Sequence, residues 1–348
     1  MASSGILQGI EGNGAEAVTA PAGSNNVAGH NPQPPTAPAP PATPKKYCAS
    51  IFPTVKPELD RGFAAAIGQL ESALGYPVWL ILESDSGPFS SIDDDLYEAF
   101  YASRSEIERS HLGLMIHSSG GDATAAFKIA RLFQRRARPL TTIIPKYAKS
   151  AATLMALAGS TIIKAEDAEF GPLDVQVMDL EREEYGSALN AVQSLERINA
   201  FSLTVIDQLT PLLMSRSGRR LDVVLPMVMD YTVKLVRPLL EKIDTVDFTR
   251  RSRELKVAEE YALRLMKSSY SFEEAKRIAQ HLVDQYPTHE FVIDREECKM
   301  RLRSGTGTTY GIGLKLEDTS PEVNAALDLI IPFLGNLNVI GRVKEVAA

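Results

Sequence analysis

The sequence predicts an α/β protein: a mainly parallel sheet of stacked β-α units, followed by a largely helical C-terminal region. Short, near-continuously apolar runs alternate with amphipathic helical segments between residues 57 and 165, the pattern of strands covered on both faces by crossover helices. Two of the strand-to-helix turns are built from glycine or other small residues, as sharp reversals and close backbone approaches require. Past about residue 180 the texture changes to long helical runs.

In chain order, residues 1–46 are rich in Ala, Pro, Gly, Ser and Asn and include "NPQPPTAPAPPATP". Such a segment buries too little apolar surface to offset chain ordering. It is expected to be a disordered, solubilising tail; a Pro-rich ligand for a partner's aromatic groove is the less favoured reading. "PELDRGFAAAIGQLESAL" carries apolar residues at helical spacing, and "GYPVWLILES" reads as a turn opening a buried strand. "SIDDDLYEAFYASRSEI" is a helix with an acidic cap, followed by the strand "LGLMIHS". After "SGG" comes the helix "DATAAFKIARLFQRRA", then the strand "LTTIIP", a small-residue helix after Ser150, and the strand "STIIKAE". Residues 47–185 thus form the α/β core, and residues 186–348 a mainly helical part packed on it. In that part Ser271 and Glu274 stand at capping-box spacing, Asp294 and Glu297 repeat the signal, and Ser320-Pro321 starts a last helix.

The 348 residues, 44% of them hydrophobic, suffice for one large domain or two modest ones. A net charge of -7 with acids and bases intermixed argues against a nucleic-acid surface and a polybasic membrane patch. Only Cys48 and Cys298 are present, far apart, so neither a disulfide framework nor a zinc site is expected. No apolar run approaches the ~20 residues of a spanning helix, and the first 44 residues hold no Lys or Arg, which fits neither a secretory signal nor a transit peptide. A cytoplasmic protein with no transmembrane segment is expected. There is no G-x-x-x-x-G-K-[ST], G-x-G-x-x-G after a strand, H-E-x-x-H or G-x-S-x-G, so no cofactor or metal is expected and any activity is expected to be ATP-independent. The run Asp93 to Asp95 lacks calcium-ligand spacing and reads as a helix cap.

Two turns carry candidate chemistry. In "IHSSGGDATAA", Gly120 and Gly121 link a buried strand to a helix, and ligands of open α/β sheets collect at the C-terminal ends of strands. Backbone N–H groups there can hold an anion or a developing oxyanion; a plain structural turn is the competing reading. In "PKYAKSAATLMALAGS", Ser150 stands where a turn becomes a helix. Such a serine is a helix cap or a nucleophile helped by the positive end of the helix. The pair is more specific than either turn alone, because a nucleophile at one strand end needs hydrogen-bond donors at the neighbouring one.

"IHSSGGDATAAFKIARLF" and "PKYAKSAATLMALAGSTIIKAEDAEFGPLDVQ" resemble the Clp-fold serine peptidases of the Clp protease/crotonase superfamily. The resemblance is strongest to the serine dehydrogenase proteinase family, related to signal peptide peptidase A and NfeD-type peptidases. It covers residues 75–178, and "YPTHEFVIDREEC" is similar to a Thr-His segment of the same family. The G-P-x-D segment Gly171-Pro172-Leu173-Asp174, beginning 21 residues after Ser150, matches the family's spacing and selects Ser150 over Ser160. The resemblance implies a Clp protease/crotonase-like fold, Ser150 as nucleophile, and the N–H groups of Gly121 and Ala151 as oxyanion hole. Gly120, Gly171 and Asp174 support the turns. It also implies a peptide or protein substrate and a homo-oligomer, because these peptidases usually self-assemble. The chain departs from the family at Ser119, where Pro often stands, and at Lys149, directly before the serine.

A serine attacks only if a base takes its proton. The histidine of Clp protease is matched by Val175, and the downstream lysine of signal peptide peptidase relatives has no counterpart, since no Lys occurs between Lys164 and Lys234. Four side chains stay open: His117 before the Gly-Gly turn, His289 in the Thr-His segment, Lys234, and Lys149, which as a sequence neighbour does not face Ser150. Each also has an ordinary structural reading, and Asp174 either orients a base or caps a turn. The leading expectation is a serine endopeptidase acting through an acyl-enzyme. The alternatives are a non-catalytic assembly or regulatory protein that has lost the base, and a crotonase-like acyl-thioester enzyme using the same two N–H donors.

Overall fold

The computed structural model describes residues 45–51, 58–84, 90–174, 176–179, 184–299 and 311–346; most of the Pro/Ala-rich tail, and Val175, lie outside them. The first part runs β1 (Lys46–Ala49), α1 (Arg61–Leu74), β2 (Val78–Leu82), α2 (Asp94–Ala102), β3 (Leu112–His117), α3 (Ala123–Arg136), β4 (Leu140–Ile144), β5 (Tyr147–Ala148), α4 (Ala151–Ala156), β6 (Thr161–Lys164) and β7 (Glu169–Phe170). The hairpin β8 (Gln176–Asp179) and β9 (Glu184–Ser187) leads into α5 (Ala188–Ser217), α6 (Leu221–Leu240), α7 (Thr245–Met266), α8 (Phe272–Asp284) and α9 (Arg295–Lys299). β10 (Leu316–Glu317), α10 (Pro321–Ile330), β11 (Val339–Gly341) and β12 (Val343–Val346) follow.

The central sheet has the order β10-β6-β4-β3-β2-β11. All its pairs are parallel except β11 against β2. β2, β3 and β4 are buried along their whole length, as the unbroken apolar runs of a doubly covered parallel sheet require. Trp79 anchors one face: the rings of Trp79, Phe100 and Phe133 meet at centroid distances of 5.5–6.3 Å, joining β2 to α2 and α3. The last three strands are too short to show a period-2 pattern, and the helical expectation for residues 186–348 did not anticipate them. β11 closes one sheet edge and β10 the other, while β12 pairs antiparallel with β1.

Several caps follow the sequence signals. Asp93 accepts from Leu96 N–H at 2.8 Å, Asp122 from Ala125 N–H at 2.7 Å, and Ser271 and Glu274 form the expected capping box. The α5-α6 pair differs from the rest. α6 buries one i,i+4 stripe, Val224, Val228, Thr232 and Val236, while Met227, Tyr231 and Leu235 stay exposed beside it. A helix apolar around most of its circumference is normally covered.

Candidate active site

Because β3 and β4 are adjacent and parallel, the turns that leave their C-terminal ends lie side by side, at the edge where ligands collect in such sheets. Ser118 ties them together. Its N–H donates to Tyr147 O (3.4 Å), and its carbonyl accepts from Lys149 N–H (3.1 Å). Its hydroxyl accepts from Gly120 N–H at 3.0 Å.

Gly120 and Gly121 have φ of 114° and 145°, in the region that favours glycine. Space alone excludes any other residue. A Cβ on Gly120 would lie 2.9 Å from both Lys149 O and Ser150 Cβ, and one on Gly121 only 2.2 Å from Ile92 O. The Gly-Gly turn is therefore pressed against Ser150 on one side. On the other, Ile92 N–H donates to Gly120 O (2.9 Å) and Asp122 N–H to Ile92 O (2.7 Å).

Ser150 is the only non-glycine residue among those described with positive φ, at φ 49°, ψ -119°. Those angles belong to the first central position of a type II′ turn, normally glycine. The turn is closed by Ala152 N–H donating to Lys149 O at 2.8 Å. The serine's hydroxyl makes no capping hydrogen bond, which corrects the expectation that it caps α4. A residue with a Cβ in so sparsely populated a conformation carries backbone strain of the kind that clusters at functional sites. Gly121 N–H and Ala151 N–H have no protein acceptor among the described residues, whereas Gly120 N–H is taken by Ser118.

The Gly171–Asp174 segment is held to the same turn. Thr153 Oγ1 lies 2.7 Å from Ala148 O and 2.9 Å from Gly171 O, donating to one of them at a time, and Gly171 N–H donates to Ala148 O at 3.2 Å. A Cβ on Gly171 would come within 2.9 Å of Lys149 Cδ. Asp174 is buried and accepts from Leu189 N–H at 3.2 Å, so it anchors the entry to α5.

A cavity of about 1010 Å³ opens at these turns. Ser150, Ala151, Gly120 and Gly121 line it, and so do Asp93, Asp122, Glu254 and His289. Of the four base candidates, only His289 lines it. The chain after α8 brings it there: Leu173 N–H donates to Leu282 O (2.8 Å), and Phe170 and Ile293 exchange both backbone hydrogen bonds at 3.0 Å. His289 Nδ1 is buried with no hydrogen-bond partner among the described residues. Lys149 is ion-paired to Glu169 at 2.6 Å. Lys234 is exposed on α6 and paired with Asp230 at 2.7 Å. His117 is buried against the Tyr147 ring, centroids 4.1 Å apart. The sequence assigns the carboxylates of the cavity no part in the site: Asp93 reads only as a cap, Asp122 only as the start of a helical segment, and Glu254 lies mid-helix with nothing local to mark it. Among the described residues no cluster of His, Cys, Asp and Glu has the makings of a metal site.

The parallel core and paired turns define a ClpP-like fold. In keeping with that, the model of the family described as ClpP-like SDH-type serine proteinase matches residues 82–208. Two uncharacterized proteins of Methanocaldococcus jannaschii are also similar. MJ1495 is 28% identical over 65% of this chain and 59% of its own length, and MJ0137 is 26% identical over 59% and 57%. The chain thus spans less than two thirds of the curated relatives it matches. No helix among the described residues is long and apolar enough to cross a membrane.

Proposed function

We propose that the protein is a serine endopeptidase that forms an acyl-enzyme at Ser150. The observation that carries this reading is the strained Ser150 backbone, its hydroxyl unused as a cap, packed against Gly120 in a substrate-sized cavity. Ser150 Oγ attacks the scissile carbonyl carbon while His289 takes the hydroxyl proton. Gly121 N–H and Ala151 N–H stabilise the oxyanion. Collapse of the tetrahedral intermediate breaks the C–N bond as His289 returns the proton to the departing amine. Water then attacks the acyl carbon, giving a proton to His289; the second tetrahedral intermediate collapses with breakage of the C–Oγ bond, His289 returns that proton to Ser150 Oγ, and the carboxylic acid leaves. His289 is preferred as base because it alone of the four candidates lines the cavity.

One observation favours a second reading. Among the described residues nothing hydrogen-bonds Ser150 Oγ, the arrangement of a chain that keeps the fold for assembly or regulation and lacks a working base. A serine-directed fluorophosphonate probe separates the two. Labelling of the wild type and none of Ser150→Ala supports the peptidase; a folded, unlabelled wild type refutes it in favour of the second reading. Turnover of an acyl-CoA by Ser150→Ala would assign the crotonase-like chemistry instead.

We further propose a homo-oligomer joined through the exposed apolar face of α6 around Met227, Tyr231 and Leu235. A cytoplasmic location is supported by Cys48 and Cys298, both free and buried.

A further inference from the structure

Glu83 directly follows β2 and is 3% exposed. Its N–H donates to His117 O on β3 at 2.9 Å. Its carboxyl Oε2 takes a short hydrogen bond from the hydroxyl of Ser118, also buried, and its Oε1 is buried with no partner among the described residues. Ser118 is the residue whose hydroxyl accepts from Gly120 N–H and whose carbonyl accepts from Lys149 N–H. The Glu83 carboxyl therefore holds a residue that touches both turns of the site, the Gly-Gly turn through its hydroxyl and the Ser150 turn through its backbone carbonyl. The Ser118 hydroxyl thus accepts from Gly120 N–H and donates its own proton to Glu83 Oε2.

We propose that Glu83 is a positioning residue: as a neutral carboxylic acid it fixes the Ser118 hydroxyl, and through it the Gly120–Gly121 turn that presents the oxyanion donor to Ser150. This rests on the reading of Ser150 and Gly121 given above. No cation pairs with the carboxyl among the described residues. The titratable groups on the elements packed against it are Asp93 at the start of α2, His117 at the end of β3, and Tyr147 and Lys149 beside Ser118, the lysine already neutralised by Glu169. Burial pushes the Glu83 carboxyl up to about 8, the Asp93 charge adds to this, and the Ser118 hydroxyl opposes it. Ionisation would leave an uncompensated buried charge against the turn.

The folded chain then holds a proton on Glu83 that the unfolded chain has released. Folding stability falls as pH rises from about 4.5 toward about 8 and levels off above. The acid form shrinks about tenfold between pH 7 and pH 9. The test measures two quantities over pH 6–9.5 for wild type, Glu83→Gln and Glu83→Ala: the fluorophosphonate labelling rate and the thermal midpoint. The expected wild-type labelling rate falls about tenfold from pH 7 to pH 9. In Glu83→Gln that fall is at most twofold, because the amide cannot ionise, and Glu83→Ala labels more slowly than Glu83→Gln at every pH. The loss of thermal midpoint with pH is likewise smaller in Glu83→Gln. The same alkaline fall in Glu83→Gln as in wild type would overturn the proposal, and so would an unchanged pH dependence of the midpoint. The midpoint also answers if Ser150 proves unreactive, so failure of the peptidase reading is distinguishable from failure of this one.

Discussion

Replacing Ser150 with glycine removes the hydroxyl and also the steric conflict that its backbone holds. At φ 49°, ψ -119°, a residue with a Cβ carries about 1–3 kcal/mol of strain. Glycine adopts these angles freely and loses about 0.5–1 kcal/mol to its greater freedom in the unfolded chain. The serine hydroxyl has no capping bond to lose, so Ser150→Gly is expected to be more stable than wild type by roughly 0.5–2 kcal/mol. Ser150→Ala keeps the Cβ and the strain and is expected within ~0.5 kcal/mol of wild type. Both variants lose the nucleophile. Denaturant unfolding of the three proteins at equal concentration, with a shared m-value, gives the comparison directly. Equal stability of Ser150→Gly and Ser150→Ala would refute the claim that strain is stored at this position, and with it the main structural argument for a nucleophile there.

Gly120→Ala sets a Cβ 2.9 Å from Lys149 O and Ser150 Cβ at φ 114°. It is expected to cost roughly 2–5 kcal/mol by overpacking and left-handed strain, seen as a lowered unfolding midpoint together with loss of probe labelling. His289→Ala is expected to slow labelling by about 10²–10⁴-fold while the thermal midpoint stays near that of wild type; an unchanged rate would remove His289 as the base. Met227→Glu combined with Tyr231→Glu, both on the exposed face of α6, is expected to convert the oligomer to monomer in light scattering. A wild type that is already monomeric at micromolar concentration contradicts that interface.

Much of the core was legible because its signals are local. "VWLIL", "LGLMIH" and "LTTII" are each too short and too apolar for a surface helix, and the Asp60, Asp93, Asp122 and Ser271 caps stand immediately before the helices they start. Ser150 and Gly120–Gly121 were legible through their turns. The conformation of Ser150 was not: a serine before a small-residue helix reads equally well as a cap, and only the backbone angles separate the roles. The approach of His289 was hidden because it depends on the Phe170–Ile293 pairing, a contact across more than a hundred residues. Glu83 left a trace in the sequence, a carboxylate closing an otherwise apolar strand, "VWLILES". Its meaning required knowing that Ser118 lies against it.

The central claim is that Ser150, and no other hydroxyl at this cleft, is the attacking group. Ser91 and Ser119 also line the cavity, and Ser118 is buried beside it. The most direct measurement is peptide mass mapping of the folded wild-type protein after fluorophosphonate treatment. One adduct is expected, on the peptide containing Ser150 and absent from Ser150→Gly; an adduct on Ser91, Ser118 or Ser119, or none at all, would rule Ser150 out as the attacking group.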